Sequence, residues 1–185
     1  MTPALVYLVG IPGAGKSTLM AELTGSCERE RVESSRLPHD VLSVGGRIVG
    51  AELGAAGVGT DVLADRRAVI ERAAEWIASC PYPLILGEGD RLASRSWFTA
   101  ADAAGYRVRV FYLECSPAVA AARLAGRAPD PDGGRWLAGS SARAATVAGH
   151  AAATGWLAAI LDGHKPPMAL AHTVRRIVPE LGQLS

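Results

Sequence analysis

Gly10-Ile11-Pro12-Gly13-Ala14-Gly15-Lys16-Ser17 follows directly on the apolar run Leu5-Val6-Tyr7-Leu8-Val9. It meets the pattern G-x-x-x-x-G-K-[S/T] at every fixed position. Glycines let the backbone wrap closely round a polyphosphate with its N–H groups turned inward, a lysine reaches the β/γ-phosphates, and a hydroxyl beside it ligates Mg²⁺. The flanks agree with that reading. A strand of buried type precedes the loop, and Thr18-Leu19-Met20-Ala21-Glu22-Leu23 continues it as a helix whose N-terminus faces the anion. Gly10, Gly13, Ala14, Gly15, Lys16, Ser17 and Thr18 are therefore the expected nucleotide contacts, with Lys16 also serving the reaction itself.

A chain of 185 residues is most simply one domain with a core of its own. Apolar residues make up 49% and charged residues 20%, an ordinary globular balance. The net charge of +1 supplies no basic field of the kind that dominates binding to duplex DNA. Only two of the basic side chains are lysines, Lys16 and Lys165, so one of the two stands in the phosphate loop. The rest are arginines, whose planar fork suits bidentate phosphate contacts. Cys27, Cys80 and Cys115 are widely spaced and form no C-x-x-C pair, which argues against a disulfide framework or a zinc site and suits a reducing cytoplasm. Residues 4–9 are too short an apolar run for a signal or membrane anchor. No nucleic-acid stripe of interleaved basic and aromatic residues is visible.

Outward from the loop, strands and helices alternate. Residues 4–9 read as a strand buried on both faces, and the first helix runs from about Lys16 to Thr24. Residues 36–44 and 47–53 flank Gly45-Gly46, a two-residue hairpin signal, and a Gly-rich loop 54–61 ends in Thr60-Asp61 and is expected to contact substrate. Val69, Ala73, Trp76 and Cys80 recur at helical spacing behind an Asp65 cap. Leu84-Ile85-Leu86 is a short buried strand leading into Gly87-Glu88-Gly89-Asp90-Arg91. Residues 94–104 read as a helix, 107–114 as a strand, and Ser116-Pro117 starts a helix reaching about Ala125. A loop at 127–134, a helix from Arg135 to about Ala153, a strand within 155–162 and a closing helix after Pro166-Pro167 complete the chain. This alternation predicts an α/β fold, a parallel five-stranded sheet sandwiched by helices.

Acids just beyond a parallel strand are where such a fold keeps a second metal-organising carboxylate. Glu88 and Asp90 are the candidates for that role, together with the Ser17 hydroxyl, and Glu88 is a candidate catalytic residue as well. Phosphoryl transfer also needs arginines to neutralise charge and a carboxylate to orient or deprotonate the accepting hydroxyl. Closure of an Arg-bearing segment would keep water from the nucleotide. His39, beside Asp40, is a further open candidate, whereas the other three histidines carry no metal spacing.

With the loop near the N-terminus, the acidic pair after a middle strand and an Arg-bearing helix–loop–helix beyond, the chain resembles the small P-loop kinases, the group that includes polynucleotide kinase, gluconate kinase and zeta-toxin-type kinases. The resemblance implies a P-loop NTPase fold over residues 1–185, with ATP and Mg²⁺ as donor and metal. It implies a lid at about 123–143 whose arginines, Arg123, Arg127, Arg135 and Arg143, close on the phosphates, with Arg127 in a catalytic role. The acceptor-side insertion falls at about 36–61. In this group the acceptor-side carboxylate usually follows the second strand, a place that Asp40 fits and for which Asp61 is the rival. Residues 46–54, 59–61 and 88–93 look like small kinases of phages and actinobacteria, some of which phosphorylate 5-hydroxymethyluracil in DNA. The expected activity is transfer of the γ-phosphoryl group from ATP to a hydroxyl of a nucleoside, a nucleic acid or a small metabolite, in the cytoplasm and away from membranes. The competing reading is an NTPase switch or motor; the absence of an N-K-x-D guanine signature weighs against a GTPase form of it.

Overall fold

The first strand, β1 (Ala4–Gly10), is buried along its whole length because helices cover both of its faces. Ala4, Val6 and Leu8 pack into one apolar cluster, and Leu5, Tyr7 and Val9 into another, as the two-residue period of a strand requires. The structure is a computed structural model and describes residues 2–33, 36–63, 65–79, 81–125 and 135–184, the side chains of 135–138 excepted. After β1 come α1 (Lys16–Thr24), β2 (Glu28–Val32), β3 (His39–Val44), β4 (Arg47–Leu53), α2 (Arg66–Ile77) and β5 (Leu84–Glu88). Then follow α3 (Arg95–Ala103), β6 (Arg107–Glu114), α4 (Pro117–Ala125), α5 (Arg135–Ala153), β7 (Leu157–Asp162) and α6 (Pro167–Ile177). Short 3-10 turns occupy Thr60–Val62 and Pro179–Leu184.

The sheet order is β2-β3-β4-β5-β1-β6-β7. Its five strands β4-β5-β1-β6-β7 run parallel and form the expected α/β core. Leu19, Met20 and Leu23 of α1 and Leu170 and Val174 of α6 cover one face. Val69, Ala73 and Trp76 of α2, Trp97 and Phe98 of α3 and Ala151 of α5 cover the other. Because β1 lies between strands that follow it on either side, the loop after it sits where neighbouring connections diverge. That carboxyl edge is where open α/β sheets bind ligands.

The hairpin turns at Gly45 and Gly46, both in the left-handed region with φ of 56° and 75°, the requirement of a type I′ turn. The sheet has seven strands rather than the expected five, since β3, the first arm of the expected hairpin, and β2, which the sequence did not signal, add antiparallel to its edge. In β2, Glu28-Arg29-Glu30-Arg31-Val32 has no apolar face and so carries none of the usual strand pattern. Ion pairs dock it instead: Arg29 contacts Asp40 at 3.3 Å and Glu52 at 2.7 Å, and Arg31 contacts Asp40 at 3.1 Å. Charged side chains on an edge strand also discourage pairing with other chains.

Helix starts follow the local chemistry. Asp65 accepts hydrogen bonds from the backbone N–H groups of Arg67 and Ala68 at 2.9 and 3.0 Å. Ser94 accepts from Trp97 N–H at 3.2 Å, a capping role for each.

Candidate active site

The phosphate loop is held open by its glycines. Gly13 and Gly15 have φ of 81° and 101°, and a Cβ on Gly13 would stand 2.5 Å from the Ala120 carbonyl oxygen. Lys16 begins α1, and its Nζ donates to the carbonyls of Gly10 and Ile11 at 2.9 and 3.1 Å. Burial pulls the Lys16 ammonium below its ordinary range, and the carboxylates of Glu88, Asp61 and Asp90 pull it back up. An ammonium held by loop carbonyls is ready to exchange them for phosphate oxygens, a stronger charge-assisted partner.

Opposite the loop stands Glu88, the last residue of β5, only 1% exposed. Burial raises its carboxyl above the ordinary range, while the Ser17 hydroxyl and the Lys16 ammonium draw it down. Its Oε1 has no hydrogen-bond partner among the described residues, so an acceptor oxygen stands unsatisfied beside the Ser17 hydroxyl. A hard cation is a fitting partner for such an oxygen. No group of three His, Cys, Asp or Glu side chains converges on a metal position among the described residues. Mg²⁺ does not need one, because it takes one or two carboxylates and completes its shell with phosphate oxygens and water.

Asp61 comes from the Gly-rich loop, which folds into a tight knob closed by an Ala55–Gly59 bridge. Its Oδ1 accepts from the Asp90 backbone N–H at 2.8 Å. Asp90 turns its own carboxylate to Arg143 of α5 at 3.1 Å, and Arg143 also donates to Ser140 at 3.0 Å.

Three cavities meet at this edge. One of about 170 Å³ is lined by loop residues with Ser17, Glu88 and Asp61. A second of about 430 Å³ is lined by Lys16, Asp61, Asp90, Arg66, Arg91 and Arg143. Lys16 and Asp61 line both. A third, of about 330 Å³, lies on the far side of the loop against Thr18, Arg123, Lys165, Pro167 and Leu170. Arg123 ties the loop to that side. Its guanidinium donates to Gly13 O at 3.3 Å, Ala14 O at 3.4 Å and Gly163 O at 3.0 Å.

Of the residues singled out in the sequence, the structure gathers Gly10, Gly13, Ala14, Gly15, Lys16, Ser17, Thr18, Asp61, Glu88, Asp90, Arg123 and Arg143 around the loop. Asp40 is elsewhere. It lies on β3, three positions along the sheet from β1, roughly 14 Å at the usual strand spacing, and is occupied by Arg29 and Arg31. The antiparallel pair inserted at the edge carries it there. His39 is a packing residue, bonded through Nδ1 to Leu37 O at 2.7 Å and through Nε2 to Tyr82 OH at 2.9 Å. Arg127 and the Arg135 side chain lie outside the described residues. Sequence reasoning missed Arg66 and Ser140, which line the second cavity, and Tyr7, which reaches the site from below. Arg66 follows a helix cap, a position with no motif attached. Tyr7 reads as one more apolar residue of a buried strand.

A parallel core in the order β4-β5-β1-β6-β7 with this loop after its middle strand defines the class: a P-loop kinase fold. The chain belongs to the family described as P-loop Nucleotide Kinase3, matched over residues 1–168. Among solved structures it is similar to an unliganded sugar kinase from Janibacter sp. HTCC2649, with a TM-score of 0.52, 16% sequence identity, and coverage of 97% of this chain and 98% of that one. That likeness is one of fold. No curated protein matches the sequence. Among the described residues no helix is long and apolar enough to cross a membrane.

Proposed function

We propose that the protein is an ATP-dependent phosphotransferase that moves the γ-phosphoryl group to a hydroxyl of an acceptor seated in the 430 Å³ cavity. One observation carries this reading: Lys16 and Asp61 line both that cavity and the smaller one at Ser17 and Glu88. A donor phosphate and an acceptor hydroxyl can then meet between a cation and a carboxylate. Lys16 and the loop N–H groups hold the β/γ-phosphates, and the third cavity, beside Arg123 and Lys165, receives the nucleoside end. The Ser17 hydroxyl and the Glu88 carboxylate would hold Mg²⁺, which neutralises phosphate charge when bound. Asp61 orients the acceptor hydroxyl and takes its proton as the acceptor oxygen bonds to the γ-phosphorus; the bond to the β–γ bridging oxygen breaks and ADP leaves. Arg66, Arg91 and Arg143 around the acceptor cavity favour an acceptor that carries negative charge, as a nucleotide or a nucleic acid does. A 5-hydroxymethylated pyrimidine in DNA, to which residues 46–54, 59–61 and 88–93 point by resemblance, is one such acceptor.

The test is a transfer assay with γ-labelled ATP against nucleosides, nucleotides, hydroxymethylated DNA, oligonucleotide ends and sugar acids. Label should pass to one acceptor class and be lost in Lys16→Ala. Brisk, cooperative ATP hydrolysis with no labelled acceptor would overturn the kinase reading in favour of an NTPase switch or motor.

A further inference from the structure

Tyr7 projects from the middle of β1 towards the turn after β5, and nothing in the phosphate-binding pattern accounts for it. Its ring passes over Gly87, where a Cβ would stand 2.6 Å from Tyr7 Cε2. Its hydroxyl ends in a buried knot. Tyr7 OH and Thr60 Oγ1 are 3.0 Å apart, Thr60 Oγ1 donates to Glu88 O at 2.7 Å, and Tyr7 OH lies 3.1 Å from Gly89 O. Both side chains are fully buried, each at 0% exposure.

The knot joins three pieces of chain: the strand before the phosphate loop, the root of the Gly-rich knob, and the turn bearing Glu88. Two further contacts key the pieces together. A Cβ on Gly59 would stand 2.4 Å from Glu88 Cγ, and one on Gly89 would stand 2.9 Å from Asp61 Oδ1. Asp61 is the residue next to Thr60, and neither its carboxylate nor that of Glu88 takes part in the knot, while the backbone beside each is pinned; Asp61 Oδ1 accepts from the Asp90 backbone N–H.

We infer that Tyr7 and Thr60 are positioning residues that fix the Asp61 carboxylate relative to Glu88 and the phosphate loop, so that the acceptor and metal sides of the centre stay in register. The inference rests on the phosphotransferase reading for its kinetic consequence, but its geometric content does not. Two hydroxyls donate to the buried carbonyls of Glu88 and Gly89, and removing either one takes a donor from this buried pair. The turn then relaxes, and displacement of a reacting group by about 1 Å costs up to roughly 100-fold in rate. Burial also pushes the Tyr7 hydroxyl far above its ordinary range, so it remains a neutral donor at working pH.

The experiment compares Tyr7→Phe, Thr60→Val and Thr60→Ser in the full chain. Tyr7→Phe keeps the ring against Gly87, and Thr60→Ser keeps the hydroxyl. Expected for Tyr7→Phe and Thr60→Val is a fall in kcat of about 10- to 100-fold. Thr60→Ser should restore most of kcat. The double variant Tyr7→Phe/Thr60→Val should lose no more than the worse single one, because one knot is broken once. ATP binding with and without Mg²⁺, measured by calorimetry, reads the same geometry without any acceptor. The Mg²⁺ enhancement of ATP affinity should shrink in Tyr7→Phe and Thr60→Val and stay near wild type in Thr60→Ser. A wild-type protein that transfers no phosphate yet shows this pattern overturns the kinase reading and keeps the positioning role. Wild-type kcat and Mg²⁺ enhancement in both Tyr7→Phe and Thr60→Val would overturn the positioning role, whatever the acceptor.

Discussion

Two glycine-rich stretches face each other across the centre, and they differ in how they were built. The phosphate loop, residues 10–17, is continuous: one strand, one loop and one helix N-terminus supply the cradle and the lysine. The knob, residues 54–61, does nothing alone. Its Asp61 is placed by Tyr7 of β1, by the Glu88–Gly89 turn and by the Asp90 backbone. A polyphosphate imposes one spacing on any chain that wraps it, so the donor side has a local pattern. An acceptor imposes no common spacing, and in the proposed phosphotransferase its side is assembled from segments that only the fold brings together.

The sharpest way to break this contrast is at the loop. Lys16→Ala should lower kcat/KM by about 1,000-fold or more, since an interaction aimed at the transferring phosphoryl group is worth that much in related chemistry. Thermal unfolding should stay near that of wild type, because among the described residues Lys16 Nζ bonds only to loop carbonyls. A variant that keeps a tenth of its activity would show that the loop is not the donor cradle.

The next test separates Asp61 from Asp40, the two carboxylates the sequence left as rivals. Asp61→Asn should lower kcat by about 100- to 10,000-fold, the range for loss of a positioned general base, with ATP affinity nearly unchanged. Asp40→Asn should do the opposite. It leaves Arg29 and Arg31 short of a partner at a buried position, costing about 1–3 kcal/mol of stability, read as a fall in Tm, with kcat within about 3-fold of wild type. Exchange of these two outcomes would put the acceptor on the β3 side.

The same pair shows how far the sequence could be read. The parallel core was legible because Leu5 to Val9 and Leu84 to Leu86 are uninterrupted apolar runs, and caps such as Asp65 and Ser94 mark helix starts. The strand β2 was not, because its residues are charged and its partners, Asp40 and Glu52, lie on other strands. Without β2 in view, Asp40 could not be seen to pair with Arg29 and Arg31. Tyr7 was hidden for a related reason: its role depends on Gly87 and Thr60, far away in sequence.

Glu88 sharpens the contrast through pH. Burial raises its folded-state carboxyl above the ordinary value of 4.5. A group that holds its proton more tightly when folded adds stability that is fully present below about pH 4.5 and is lost as pH rises through the raised folded value. At neutral pH the folded protein therefore carries a desolvated charge. Glu88→Gln should raise Tm at pH 7.5 and lose that advantage as the pH is brought below about 4.5, while phosphoryl transfer falls. A lower Tm at neutral pH would mean that Glu88 serves the fold rather than the site.

The smallest effects lie within the knob, where neighbouring glycines should answer differently to the same change. Gly57 has φ of 78° with open space round a built Cβ, whereas Gly59 has φ of 64° and meets Glu88 Cγ at 2.4 Å. Gly57→Ala carries only the left-handed penalty, about 1 kcal/mol, which for a chain of this size moves Tm by about 2–4 °C. Its kcat should stay near wild type, since a Cβ there meets no neighbouring atom within 4 Å. Gly59→Ala pays the same conformational penalty and also drives a methyl group into the Glu88 side chain, so Tm and kcat should fall together. Equal, purely thermal losses at the two positions would mean that the knob is an ordinary loop, and that its close approach to Glu88 contributes nothing to the reaction.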